Sequence, residues 1–125
     1  MANKANITPP AEMPLVFTAG YQTHPTAGKS VYRVADNNLV VLNFCITAVG
    51  GGTFPTGILA IATLPVGARP SANIIFASVI SSASGVSPGN SILSYVAVNG
   101  NLTFHVPTTL GNTTTIQGGV CYYAV

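Results

Sequence analysis

The stretch Leu93-Ser-Tyr-Val-Ala-Val-Asn-Gly-Asn-Leu-Thr-Phe-His-Val106 decides the fold class. Polar and apolar residues alternate on both sides of Asn99-Gly100. Asn-Gly is the strongest short hairpin signal, because a two-residue type I′ turn needs positive φ at both central positions. Such a turn pairs Val98 with Asn101, Ala97 with Leu102, Val96 with Thr103 and Tyr95 with Phe104. One face of the hairpin then reads Leu93, Tyr95, Ala97, Leu102, Phe104 and Val106, wholly apolar and expected in the core. The other reads Ser94, Val96, Val98, Asn101, Thr103 and His105. A slip of one residue would mix the two sets.

Outward from that hairpin the same pattern recurs. Residues 38–48 alternate Val40, Leu42, Phe44, Ile46 and Ala48 with Leu39, Val41, Asn43, Cys45 and Thr47. The second set carries no charge, which suits a subunit interface. Further strands are predicted at 15–18, 30–35, 57–63, 74–81, 91–98, 101–106, 113–116 and 119–123. Loops are predicted at 20–28, 50–56, 65–72 and 82–90. Strong helix formers are scarce, and 13 Gly and 9 Pro punctuate short β-branched and aromatic runs. This is the signature of an all-β sandwich or barrel. Residues 1–14, with Pro9, Pro10 and Pro14, read as an extended N-terminal arm. Residues 15–125 read as one antiparallel β-sandwich domain, and 125 residues fit a single core.

Hydrophobic residues make up 48% of the chain and charged residues only 5%. Ordinary soluble domains carry about 25% charged residues. A chain so poor in charge is best explained as a subunit burying surface against its own copies, since obligate interfaces resemble a divided core. No apolar run reaches the roughly 20 residues of a spanning helix, so no membrane insertion is expected. Four cations scattered at Lys4, Lys29, Arg33 and Arg69 make no basic patch, and no nucleic-acid partner is expected.

The groups able to do chemistry are few. His24, His105, Glu12, Asp36, Cys45 and Cys121 are the whole inventory beyond hydroxyls. No spacing among them matches a nucleophile–base motif or a zinc site, so neither catalysis, nor a cofactor, nor a metal is expected. A three-fold metal site would need only one His per subunit, which His105 could supply, but a hydrogen-bonded or exposed His is the commoner reading. Without a recognisable secretion signal, Cys45 and Cys121 read as buried reduced thiols in preference to a disulfide. The sequons at Asn6, Asn101 and Asn112 arise by chance in a chain rich in Asn and Thr. A saccharide site needs an aromatic face with polar groups on a loop. Tyr21, Gln22, Thr23 and His24, within the predicted loop 20–28, are the candidate ligand-binding residues.

Gly57-Ile-Leu-Ala-Ile-Ala-Thr-Leu-Pro-Val-Gly-Ala-Arg-Pro70 adds a resemblance. A strand ending in Leu-Pro-x-Gly-x-Arg-Pro, then an apolar strand, then an Asn-Gly turn, resembles the C-terminal head domains of tailed-phage tail-fibre and baseplate receptor-binding proteins. The matching positions are Leu64, Pro65, Gly67, Arg69, Pro70, Asn99 and Gly100, read here as structural turn residues. Ala68 stands where relatives often carry an aromatic. The resemblance implies a jelly-roll-like β-sandwich assembled as a homotrimer in the virion after synthesis in the host cytoplasm. It implies other tail or baseplate proteins as partners and a host cell-surface saccharide as ligand. A virion decoration or head-fibre protein and a small bacterial lectin are the competing readings.

Overall fold

The computed structural model describes residues 10–82, 90–111 and 113–125. Ten strands run through them: β1 (Met13–Pro14), β2 (Val16–Phe17), β3 (Tyr21–Thr23), β4 (Val31–Val34), β5 (Leu39–Ala48), β6 (Gly57–Thr63), β7 (Ile74–Ser82), β8 (Asn90–Val96), β9 (Asn101–Val106) and β10 (Thr114–Tyr123). A 3-10 turn at Val66–Ala68 is the sole helical element among the described residues. Every strand pairing is antiparallel, in the order β1-β4-β5-β10-β7-β8-β9-β6-β2, with β3 on β5. The all-β antiparallel class predicted from the alternation is therefore what the chain adopts.

The sheet wraps until its two ends meet in one short segment. Met13–Pro14 pairs with β4 and Val16–Phe17 pairs with β6. Leu15, between them, is buried and donates its N–H to the Ser30 carbonyl. The arm expected at residues 1–14 lies outside the described residues as far as residue 9. Its last two residues are the strand β1.

Inside the wrap, Phe44 of β5 meets Phe104 of β9 at 5.6 Å and Phe76 of β7 at 6.0 Å between ring centroids. Val40, Leu42, Ile46, Ile61, Leu64, Val96, Leu102 and Ile116 complete a fully buried centre. A fully buried side chain of this size contributes about 1.5–3 kcal/mol by leaving water. A bulge at Ile61, where the register shifts between Ala60 and Ala62, lets Ile61 and Ala62 both face inward.

The hairpin register differs from the one expected. β8 and β9 pair as Ser94↔Phe104, Tyr95↔Thr103 and Val96↔Leu102, one residue away from the two-residue-turn reading. The turn holds three residues, Val98, Asn99 and Gly100. Gly100 N–H donates to the Ala97 carbonyl at 2.8 Å, and Ala97 N–H to the Asn101 carbonyl at 3.0 Å. Gly100 takes the left-handed conformation at φ 89°. Leu102, Phe104 and Val106 face the core as expected, but on β8 it is Ile92, Ser94 and Val96 that are buried, while Leu93 is exposed. A serine can replace a leucine inside because the Ser94 and Ser78 hydroxyls bond each other at 2.6 Å. Two buried polar groups that satisfy one another avoid the penalty of an unmade hydrogen bond.

On β5 the predicted alternation holds from Val40 to Phe44, and then burial becomes continuous. The reason is the segment between β3 and β4. His24 N–H donates to the Cys45 carbonyl, and the Ser30 hydroxyl both donates to that carbonyl and accepts from Cys45 N–H. Ser30 thus fills the gap in the ladder, and Cys45 is covered.

Candidate functional site

The four residues predicted to bind a ligand lie side by side, but not on a loop. Tyr21–Thr23 forms β3, paired to Ala48, Thr47 and Ile46. All four residues, His24 included, are half-buried. The Tyr21 ring stacks on the fully buried Phe54 at 5.4 Å and 23°. Burial pushes the Tyr21 phenol above its usual pKa. His24 Nδ1 accepts from the N–H groups of Thr26 at 3.2 Å and Ala27 at 3.0 Å, so this nitrogen closes a local turn. The group is therefore a short edge strand anchored through Phe54, with the polar atoms of Gln22 and Thr23 beside it. The loop predicted at 82–90 lies outside the described residues save its two ends, which belong to β7 and β8.

The structural turn residues meet at one end of the sheet. Leu64 N–H donates to the Gly100 carbonyl at 2.8 Å, and Arg69 Nε donates to the Leu64 carbonyl at 3.0 Å. A Cβ placed on Gly100 would stand 2.4 Å from the Leu64 oxygen and 2.8 Å from Arg69 Nε. Pro65 precedes the 3-10 turn, and its carbonyl accepts from the N–H of the fully buried Ala68. The buried Tyr122 hydroxyl donates to the Ala68 carbonyl at 2.7 Å. An aromatic at position 68 would have no room there. Pro70 bridges to Ala124, and Arg69 O accepts from Val125 N–H. Gly67 is not constrained in the same way: it avoids the left-handed region, and a Cβ there would meet open space.

A third place was not visible in the sequence. Gly57, Ile58, Ser91, Leu93, His105 and Pro107 line a depression of about 440 Å³ at the opposite end of β6, β8 and β9. Tyr95 stands on the outward side of β8, with its ring edge-on to His105 at 5.6 Å. Ile58 and Leu93 are exposed beside them. The two-residue-turn register predicts Leu93 and Tyr95 in the core, one residue away from the register observed. A three-residue Val-Asn-Gly turn with glycine in the left-handed position turns both outward, leaving Leu93 exposed and Tyr95 half-buried.

Charge gathers on another flank. Glu12 lies between Lys29, at 3.4 Å, and Arg33, which also donates to the Pro10 carbonyl. The Lys29 ammonium first, and then Arg33, hold the Glu12 carboxyl below its usual pKa. Cys45 is buried, with its thiol pushed up by desolvation, whereas Cys121 is exposed and not buried as expected; both are free. They sit on neighbouring strands but out of register, Cys121 opposite Val41 and Cys45 opposite Gln117. Among the described residues no three of His, Cys, Asp or Glu come together as metal ligands.

Comparison with solved structures finds this architecture in the crystal structure of the head domain of phage bIL170, described among the receptor-binding domains of lactococcal phages. The match has a TM-score of 0.68 and covers 93% of this chain and 99% of that one, at 15% sequence identity. The two chains share a fold. No protein-family model and no curated protein matches the sequence.

Proposed function

We propose that this chain is the host-recognition head of a phage receptor-binding protein, carried on the virion tail or baseplate as a homotrimer and binding a saccharide of the host surface without catalysis. The observation that carries this reading is the end-to-end match to the bIL170 head domain, in which almost every residue of each chain has a counterpart. The resemblance of Leu64–Pro70 and Asn99–Gly100 to tail-fibre heads points the same way. The very low charge supports both self-assembly and a neutral ligand.

Within that reading, Gln22, Thr23 and His24 supply polar groups next to an aromatic edge at Tyr21. One shallow sugar site binds near the millimolar range, and three on one trimer give avidity when they face the same way. The test is adsorption of the labelled protein to host cells, with competition by neutral saccharides. Gln22→Ala and Tyr21→Phe are the variants to use, because Tyr21→Ala would also remove the stack on Phe54. Weaker adsorption with an unchanged melting temperature supports the site. Absence of adsorption by the wild-type protein to any host or glycan overturns the function.

A further inference from the structure

β8 and β9 separate before either strand ends. Their ladder runs from Val96↔Leu102 to Ser94↔Phe104. In the same register Leu93 would meet His105 and Ile92 would meet Val106, yet neither pair is made. Each strand is still held on its far side. β8 stays on β7 through Leu93↔Ala77, Ile92↔Ser78 and Ser91↔Val79, and β9 stays on β6 through Ile58↔His105 and Gly57↔Val106. Pro107, which would stand opposite Ser91, has no N–H with which to continue the ladder. The depression of about 440 Å³ described above opens where the two strands separate. Its volume falls within the roughly 300–1,000 Å³ of small-ligand sites. The walls are fixed by the ladders on either side, so the cleft is already formed.

The lining is of two kinds. Ile58, Leu93 and Pro107 present exposed aliphatic surface. His105 and Ser91 supply an imidazole and a hydroxyl, and among the described residues neither side chain has a hydrogen-bond partner. Each of these two groups can both donate and accept. The Tyr95 ring, edge-on at 5.6 Å, packs against the imidazole. Among the described residues no charged side chain lines the cleft. Glu12, Lys29 and Arg33 cluster at β1 and β4, Asp36 stands in the β4–β5 turn, and Arg69 is folded onto the Leu64 carbonyl at the other end of the sheet. A charged ligand would leave water here with no counter-charge to meet. A neutral one with hydroxyl or amide groups would pair with His105 and Ser91. The aliphatic wall selects further. The C–H face of a plain sugar ring stacks best on an aromatic, whereas Ile58, Leu93 and Pro107 offer a place to bury a methyl group. We infer that the cleft between β8 and β9 binds a neutral sugar that carries a methyl group, an N-acetyl or 6-deoxy hexose, with the methyl against Ile58, Leu93 and Pro107 and the polar groups on His105 and Ser91. This rests on the saccharide reading above and adds a site on strands other than the one that bears Tyr21.

The experiment titrates the isotope-labelled wild-type protein with N-acetylglucosamine, with L-rhamnose and, for comparison, with glucose. Backbone amide, methyl and imidazole signals are followed by NMR. The expected result is saturable shifts at Ile58, Leu93 and His105 with a methyl-bearing sugar, at a Kd near the millimolar range. Glucose should bind more weakly by about tenfold or more, and Leu93→Asn and His105→Ala should each weaken the methyl-bearing sugar by about tenfold. Val66→Asn, at an exposed position away from the cleft, should leave the affinity unchanged. The wild-type titration decides the matter even if a cleft variant fails to fold. No saturable shift at the cleft from either methyl-bearing sugar overturns the site, and equal affinity for glucose overturns the class of sugar. Saturable shifts confined to Tyr21–His24 overturn the cleft and leave the saccharide reading standing. Saturable cleft shifts in a protein that adsorbs to no host support the cleft and overturn the host-recognition reading.

Discussion

Two hairpin turns in this molecule are built alike and differ in the surroundings of their third residue. In the first, Asp36-Asn37-Asn38 joins β4 to β5; in the second, Val98-Asn99-Gly100 joins β8 to β9. Ala35 N–H donates to Leu39 O and Asn38 N–H to Ala35 O, and the second turn repeats this with Ala97, Asn101 and Gly100. The middle asparagine serves both in the same way: Asn37 Oδ1 accepts from Leu39 N–H at 3.2 Å, and Asn99 Oδ1 from Asn101 N–H at 3.1 Å. The left-handed residue is Asn38 at φ 67° in one and Gly100 at φ 89° in the other. Asn38 is exposed, whereas Gly100 is buried against Leu64 and Arg69. The backbone conformation alone admits asparagine. It is the close approach of another chain segment that demands glycine.

The largest effect should come from Gly100. Gly100→Ala combines a left-handed penalty of about 1–2 kcal/mol with displacement of the Leu64 carbonyl, for a total of about 3 kcal/mol or more by chemical denaturation. Gly100→Asn is the sharper probe, since asparagine tolerates the conformation but not the crowding. It should be nearly as damaging, and stability within about 0.5 kcal/mol of the wild type would break the comparison.

Next comes the clamp behind that junction. Tyr122→Phe removes the bond to the Ala68 carbonyl and should cost about 1 kcal/mol at neutral pH. Burial raises the Tyr122 phenol well above its usual pKa. The neutral phenol therefore stabilises the fold fully below the unfolded pKa of about 10, and this contribution is lost as pH rises toward the raised folded value. Denaturation between pH 9 and 11 should show the wild type losing stability more steeply than Tyr122→Phe, which keeps only the smaller share from Tyr21.

The smallest effects should be Asn38→Gly and Gly67→Ala, each within about 0.5 kcal/mol of the wild type. Asn38 is exposed, and Gly67 has open space where a Cβ would go. A large loss at Gly67 would show that the Leu-Pro-x-Gly-x-Arg-Pro turn uses its glycine for something beyond local geometry.

Much of this fold was legible because alternation survives wherever a strand has one dry side. β6 and β9 begin and end where β-branched runs meet Gly, Pro or Asn, and β5 differs by a single residue from its expected span. β10 was expected as two strands because Gly118-Gly119 resembles a break. The glycines are in fact paired inside the strand, where a Cβ on Gly118 would stand 2.9 Å from the Phe44 ring. β3 is only three residues long and lies close to Pro25, too short to carry a period, so the sequence predicts a loop there. The hairpin was misread by one residue because polarity was used to sort the faces, and a buried Ser78–Ser94 pair defeats that sorting. The site suffered from the same limit. Tyr21 was found by its neighbours in sequence, but its stack on Phe54 and the hollow beside His105 depend on contacts between distant strands.

The segment Met13–Phe17 holds the two ends of the sheet at once, and this has a consequence for the order of events in folding. Its partners, β4 and β6, are joined through six successive pairings around the barrel, from β4 by way of β5, β10, β7, β8 and β9 to β6, with β1 and β2 at either end. Until most of those pairings exist, the two docking strands are not near each other, and the segment has nothing to bridge. Non-local contacts of this kind form only after the entropy of closing long loops has been met. Chains emerge from the ribosome N-terminus first. Here the residues that leave the ribosome early are the clasp that must wait for β10, near the far end of the chain, before it can close.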